Sequence, residues 1–265
     1  MDKNIIIKDF EKNLNVKIKE YKEIESENGL ILNADDLYII KTYSDKEFEI
    51  VLEFENYYKF VKQFIKAIYI SNEYKYMVYN FIEQDRNVDY NKIKLINQIY
   101  DLVKEERKIE NHQFGYIDNP LPSWYEFLNA EIKHSLKPLE EDTKIDLKIV
   151  LKALKIAKKE KVEAFLLHGD LGVHNFIIKD KLINVIDPIG LIGDYLYDFY
   201  YAILSDYSIT DNLDIDFVIS YFDRKEKYKK ALFIIVYFIR MARAYKYNKA
   251  DYEKFLNDYK YLSLK

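Results

Sequence analysis

Hydrophobic and polar positions change period several times along the chain, and each change predicts an element. Residues 16–24 read as a weak strand, Ser26-Glu27-Asn28-Gly29 as a tight turn of the Asn-Gly kind, and Leu30-Ile31-Leu32 as the returning apolar run. Asp35-Asp36 predicts a second turn, followed by a short strand over residues 37–41. From 45 to 66 the period becomes helical, with Val51, Phe54, Tyr58, Val61 and Ile65 at three- and four-residue steps. Residues 67–71 and 76–82 are β-rich and flank Asn72-Glu73, so they read as a hairpin.

After Glu83 the character changes. Asp89 reads as the cap of a helix running to about Lys108, and Gly115, Pro120 and Pro122 mark a loop. Ser123 caps a helix over 124–137, and Thr143 caps another that carries Ile145, Ile149, Ala153, Ile156 and Ala157 on one face. Three strand-like pieces follow at 165–167, 176–178 and 183–186, and the last 75 residues return to a helical pattern. The sum is an α+β chain: a small β-rich lobe over 1–83, a hinge at about 79–85, and a larger, mainly helical lobe over 84–265.

Composition narrows the function classes. A chain of 265 residues with 49% apolar residues is long enough for one large domain or two modest lobes with real cores. Forty-one basic and 45 acidic side chains give a net charge of -4, which argues against a general nucleic-acid binder. No cysteine is present, so disulfides, thiolate metal sites and cysteine nucleophiles are excluded. The nine-residue apolar run at 231–239 is far short of the roughly 20 needed to span a bilayer. The start has neither a leader pattern nor a span, and a cytoplasmic protein is expected. Lysine outnumbers arginine 36 to 5, as an AT-rich coding bias produces, so the 26 tyrosines are partly compositional.

Chemistry concentrates in one stretch: His168-Gly169-Asp170-Leu171-Gly172-Val173-His174-Asn175, then Ile186-Asp187-Pro188, then Gly193-Asp194 and Tyr197-Asp198. A strand, an acidic loop with Asn five residues after Asp, and a second Asp at a strand end form a phosphoryl-transfer layout. That chemistry needs a carboxylate to orient a hydroxyl and accept its proton, and hard oxygen ligands to hold Mg²⁺ against phosphates. Asp170 is the base candidate; Asn175 and Asp187 are the metal candidates.

These residues resemble the aminoglycoside phosphotransferase and choline kinase family, small-molecule kinases with a bilobal protein-kinase-like fold. The pattern H-G-D-x-x-x-x-N followed by I-D is matched by His168, Gly169, Asp170, Asn175, Ile186 and Asp187, and the Ile186 to Asp198 run looks most like the streptomycin- and hydroxyurea-phosphorylating branch. The resemblance implies ATP or GTP and Mg²⁺ as cofactors, with residues 1–83 as the nucleotide lobe. It implies structural support of the catalytic loop by His168, Asp194 and Asp198. It implies a strand lysine on the phosphates, for which Ile39-Ile40-Lys41 supplies Lys41, and a helix glutamate paired with it. Glu49, Glu53 and Glu55 compete for that role, and Glu55 is preferred because it lies a turn from both Val51 and Tyr58. Residues 76–82 resemble the strand entering the kinase hinge, so Asn80 and Ile82 would offer backbone groups to the purine and Tyr79 would sit behind it.

Two departures stand out. No glycine-rich loop precedes Lys41, and Gly172 stands where many relatives carry His; the later His174 reads as a loop or packing residue. From Asp187 to Asp223 there are eight Asp and no Lys or Arg. An anionic cleft concentrates cations, so Asp206, Asp211 and Asp214 point to a cationic hydroxylated substrate such as an aminoglycoside or amino alcohol. The competing expectation is a catalytically silent nucleotide-binding or scaffold relative, of the spore-coat kind. Oligomeric state has no signal in the sequence.

Overall fold

A computed structural model describes residues 2–26, 29–85, 91–110, 113–139, 145–211 and 214–262. The expected caps Asp89 and Thr143, and Asn28 of the first turn, lie outside them. The chain is mixed α+β, β-rich at its N-terminal end and helical toward its C-terminus. Two compact units are present, one made of residues 1–89 with Phe176–Ile189 and the other of residues 90–175 with Gly190–Lys265.

The first unit opens with a helix that sequence reading missed, α1 (Lys3–Leu14), capped by the Asp2 carboxylate on the Asn4 N–H. An antiparallel five-stranded sheet follows, with β1 (Tyr21–Ile24), β2 (Ile31–Ala34), β3 (Tyr38–Thr42), β4 (Ala67–Ser71) and β5 (Tyr76–Asn80) in the order β1-β2-β3-β5-β4. Strand alternation divides its two faces. Leu32, Ala34, Ile40, Tyr76 and Val78 cover Ile6, Ile7 and Phe10 of α1. The Asp9 carboxylate of that helix accepts from the Tyr76 hydroxyl at 2.6 Å and the Tyr69 hydroxyl at 3.3 Å. Met77, on the opposite face, packs with Phe48 and Val51 of α2 (Asp45–Tyr58). Ser44 and Glu47 close a capping box at the start of α2.

The helix ends at Tyr58 and not at the expected 66. The apolar positions beyond it serve a different contact: the Phe64 ring lies tilted against Tyr58 at 4.8 Å between ring centroids, and its backbone bridges to Val185. Residues 81–85 carry no regular structure, and the Asp85 N–H donates to the Ile178 carbonyl at 2.8 Å.

The second unit begins with α3 (Lys92–Val103), capped by Asn91, and continues through β6 (Arg107–Lys108), β7 (Gly115–Tyr116), α4 (Trp124–Leu136), α5 (Leu147–Ala157, capped by Asp146) and β8 (Phe165–Leu167). β9 (Phe176–Lys179) and β10 (Leu182–Val185) then form a hairpin that belongs to the first unit. Asp180 and Lys181, both at positive φ, make its two-residue turn. The hairpin is anchored by Val185, whose N–H donates to the Gln63 carbonyl at 2.7 Å and whose carbonyl accepts from the Ile65 N–H at 3.1 Å.

Back in the second unit, β11 (Leu191–Gly193) completes an antiparallel sheet of order β6-β8-β11-β7. Helices α6 (Leu196–Ile203), α7 (Tyr207–Thr210), α8 (Ile215–Ser220), α9 (Glu226–Tyr247) and α10 (Lys249–Tyr259) follow. α9 is the axis of this unit. It packs against α4, α5, α6 and α10, and almost every side chain from Ala231 to Ala242 is buried. A helix apolar on all sides belongs inside a protein or a membrane; among the described residues no helix is long and apolar enough to cross a membrane.

Candidate functional site

The sequence-predicted residues fall into two groups, one in each unit. In the first, the β3/β5 register sets Lys41 opposite Met77, on the α2 face of the sheet. The Lys41 Nζ meets the Asp187 Oδ1 at 2.6 Å, joining residues 146 apart in sequence. Asp187 lies just past β10 with φ +58, a left-handed conformation that Asp tolerates better than most residues and that recurs at functional turns. The Tyr43 ring lies 5.4 Å from the Lys41 ammonium, and its hydroxyl is 3.1 Å from that of Tyr79. Burial pushes both phenols up, so they stay protonated.

Glu55 does not pair with Lys41. Its carboxylate accepts from the Ala67 N–H at 3.3 Å and sits near Lys66. Glu49 pairs with Lys75 at 3.6 Å. Among the described residues the ion pair of Lys41 is with Asp187 alone. Burial lowers the Lys66 amine to about 8, an effect with no sequence signal. Tyr79 lies within β5, Asn80 at its exposed end, and Ile82 just beyond it.

The second group surrounds Asp170, in the loop after β8. Its Oδ1 accepts from the Tyr201 hydroxyl at 2.7 Å and the Arg243 Nη1 at 3.1 Å; its Oδ2 is 3.0 Å from the His174 Nε2. Burial alone would raise this carboxyl. The hydrogen bonds of His174 and Tyr201 and the charge of Arg243 override it and hold the group well below the usual carboxylate range. The Asn175 Nδ2 donates to the Asp170 carbonyl at 2.8 Å, which leaves the Asn175 amide oxygen for another partner.

His174, expected as a packing residue, thus touches the central carboxylate. Gly172 makes this possible: a Cβ there would lie 2.5 Å from the His174 Cε1. Tyr201 and Arg243 were also missed. Nothing distinguishes Tyr201 among 26 tyrosines, but Arg243 is one of only five arginines in a lysine-rich chain and follows a long apolar run.

The supporting residues are buried beneath this loop. The Asp198 carboxylate accepts the Gly169 N–H at 3.2 Å with both oxygens, and the His168 Nδ1 accepts from the Asp170 N–H at 3.3 Å. Asp194 accepts from the Leu196 N–H, the Arg224 Nη2 and the Tyr228 hydroxyl at 3.0, 2.9 and 2.8 Å. Asp206 and Asp214 have local duties, capping α7 and α8, and the Asp211 carbonyl accepts from Lys92.

Glu106 was not foreseen. It is buried against Asp198, and no other residue of the described chain meets its carboxyl oxygens with a hydrogen bond. Burial raises Asp198 to about 7 and holds Glu106 far above its ordinary value. Two buried carboxyls this close cannot both ionise, so Glu106 keeps its proton. A folded pKa above the unfolded one contributes stability that is full below the unfolded value and is lost as pH rises toward the folded one. The wild type should therefore lose stability relative to Glu106→Gln between pH 5 and 8, at up to about 1.4 kcal/mol per pH unit. Denaturant midpoints of both proteins across that range measure it, and parallel curves would refute the buried acid.

No family model and no curated protein matches the chain. Among solved structures, the choline kinase LicA from Streptococcus pneumoniae is 16% identical, with a TM-score of 0.60, and the match covers 97% of this chain and 99% of that one. The ADP-bound aminoglycoside phosphotransferase APH(2'')-Ib is 17% identical, at 0.56, over 100% and 98% of the two chains. This chain has the choline kinase and aminoglycoside phosphotransferase fold. The GDP complex of aminoglycoside 2'-phosphotransferase-IIIa also matches, at 12% identity and a TM-score of 0.55, over 98% and 99%. In the kinase-like fold of this chain, Lys41 and Asp187 lie in the unit that holds the β-rich sheet, and Asp170 and Asn175 lie in the helical one.

Proposed function

We propose that the chain is a small-molecule kinase that transfers the γ-phosphoryl group of ATP or GTP to a hydroxyl. The ion pair between Lys41 and Asp187 carries this reading, because no local role explains a 2.6 Å contact between residues so distant in sequence. The neighbours crystallised with ADP and GDP support nucleotide as the donor. The first unit, with Lys41, Tyr79, Asn80 and Ile82, is the proposed nucleotide unit, and the second supplies the acceptor side.

Asp170 receives the acceptor hydroxyl and takes its proton as that oxygen bonds to phosphorus; the electron pair of the broken bond leaves with the nucleoside diphosphate. Tyr201, Arg243 and His174 hold the carboxylate in place from three directions. The amide oxygen of Asn175 and the second carboxylate oxygen of Asp187 are each a hard oxygen donor of the kind Mg²⁺ takes. When bound, Mg²⁺ offsets charge on the transferring phosphoryl group.

Two observations bear on the cationic acceptor expected from the acidic stretch: Asp206 and Asp214 cap helices, and a guanidinium faces Asp170. The test is nucleotide consumption with Mg²⁺ against amino alcohols, aminoglycosides, hydroxy acids and small sugars, with ATP and with GTP. Lys41→Ala should weaken nucleotide binding about tenfold or more, the loss of one charge-assisted contact. Equal nucleotide affinity in the two proteins would remove the role given to Lys41. Nucleotide binding without turnover of any acceptor would favour the silent scaffold.

A further inference from the structure

Arginine is scarce in this chain, yet two of the five arginines flank the same tyrosine. Arg240 and Arg243 lie one turn apart on α9, with their guanidinium carbons 4.7 and 5.2 Å from the Tyr201 ring centroid. Tyr201 in turn donates to Asp170. The two arginines differ in what they have left to give. Arg240 is committed to the backbone, its Nε donating to the Leu204 carbonyl and its Nη2 to the Ser205 carbonyl. Arg243 gives one hydrogen bond, to Asp170, and no other among the described residues. A guanidinium carries five N–H donors in a planar fork. Its side chain is 39% exposed, so the remaining donors are open to a small molecule.

His174 stands on the far side of Asp170, and Glu131 of α4 lies within reach of the Arg243 charge while burial pushes its carboxyl up. Asp206 and Asp214, which made the region look anionic in sequence, are turned to helix N-termini. A cationic acceptor would bring its charge next to a fixed guanidinium, whereas a carboxylate or phosphate would find unused donors in the geometry that binds it bidentately.

We propose that the acceptor carries an anionic oxygen group, a carboxylate or a phosphate, close to the hydroxyl that is phosphorylated, and that Arg243 reads that group. This rests on the kinase reading and names its substrate class. Arg243 is then a specificity-determining residue as well as a partner of Asp170.

A three-carbon series isolates the charge: glycerol, glycerate, glycerol 3-phosphate and 3-amino-1,2-propanediol. Five arginines give five side-chain Nε–Hε resonances, and Arg243→Lys assigns the relevant one. Glycerate or glycerol 3-phosphate should move the Arg243 resonance saturably, and comparing the two separates carboxylate from phosphate. Arg243→Gln should weaken binding of that anion roughly 10- to 100-fold, with Arg243→Lys intermediate because it keeps the charge and loses the fork. The proposal is overturned if neither anion moves the resonance, if 3-amino-1,2-propanediol binds as tightly as glycerate, or if Arg243→Gln, folded by circular dichroism, binds anions like the wild type. Nucleotide consumption on the same samples reads the other claim. Anion binding at Arg243 without turnover keeps the oxyanion site and removes the kinase. Phosphorylation confined to amino alcohols keeps the kinase and removes the oxyanion site.

Discussion

Asp170→Asn is expected to lower the rate of phosphoryl transfer by about 10²–10⁴-fold, the usual contribution of a positioned base. The substitution keeps the shape of the side chain and one oxygen, so the Tyr201 hydroxyl retains an acceptor. What it removes is the capacity to take a proton and the negative charge facing Arg243. Arg243 is partly exposed, so water can replace the lost partner, and the thermal midpoint should move little. Nucleotide affinity should also hold, because Lys41 and Asp187 form their pair in the other unit. Steady-state kcat and KM, with a melting curve for each protein, separate these effects. A kcat within about tenfold of wild type would end the assignment of Asp170 as the base.

The second large effect is on stability. Asp194→Ala should cost about 3–5 kcal/mol, because it breaks a buried pair and strands its partners. Asp194 is fully buried, and its carboxylate is the acceptor for Arg224, Tyr228 and the Leu196 N–H that opens α6. Without it, Arg224 loses the carboxylate it is hydrogen-bonded to, on a side chain whose Nε already lacks a partner. Folded proteins are stable by only about 5–15 kcal/mol, so this is a large fraction of the total. Asp194→Asn should fall between, since an amide oxygen still accepts hydrogen bonds but carries no charge. Urea unfolding of the three proteins orders them; an Ala variant within about 1 kcal/mol of wild type would show the network to be dispensable.

The loop around Asp170 stands out in the sequence because its candidate residues are local. Asp170 and Asn175 are five residues apart, and the strands on either side announce themselves by β-rich runs. Lys41 was readable from its place at the end of an apolar strand, but its partner was not. A helical glutamate was expected, and Asp187 took the role, because pairing across 146 residues leaves no periodic trace. α1 went unread although Ile6, Ile7 and Phe10 share one face, since three adjacent isoleucines mimic a strand. Arg243 stands out only by its rarity, and Glu106 not at all: each gains its meaning from a neighbour contributed by a different element. The acidic stretch is the opposite case. Its charge count was correct, but helix capping turns such carboxylates toward backbone N–H groups.

The β9–β10 hairpin has a bearing on how the protein is made. The first unit is not a continuous piece of chain: Val185 pairs with the backbone of Gln63 and Ile65, about 120 residues earlier. At roughly 5–20 residues per second, a ribosome takes on the order of 6–24 seconds to reach that residue after finishing the early segment. During that interval the newly made sheet waits for a strand pair that has not yet been synthesised, and the nascent unit depends on the cell's chaperones or on its own five strands to stay out of trouble. A truncation before Phe176 would therefore leave the first unit, and not only the second, unfinished.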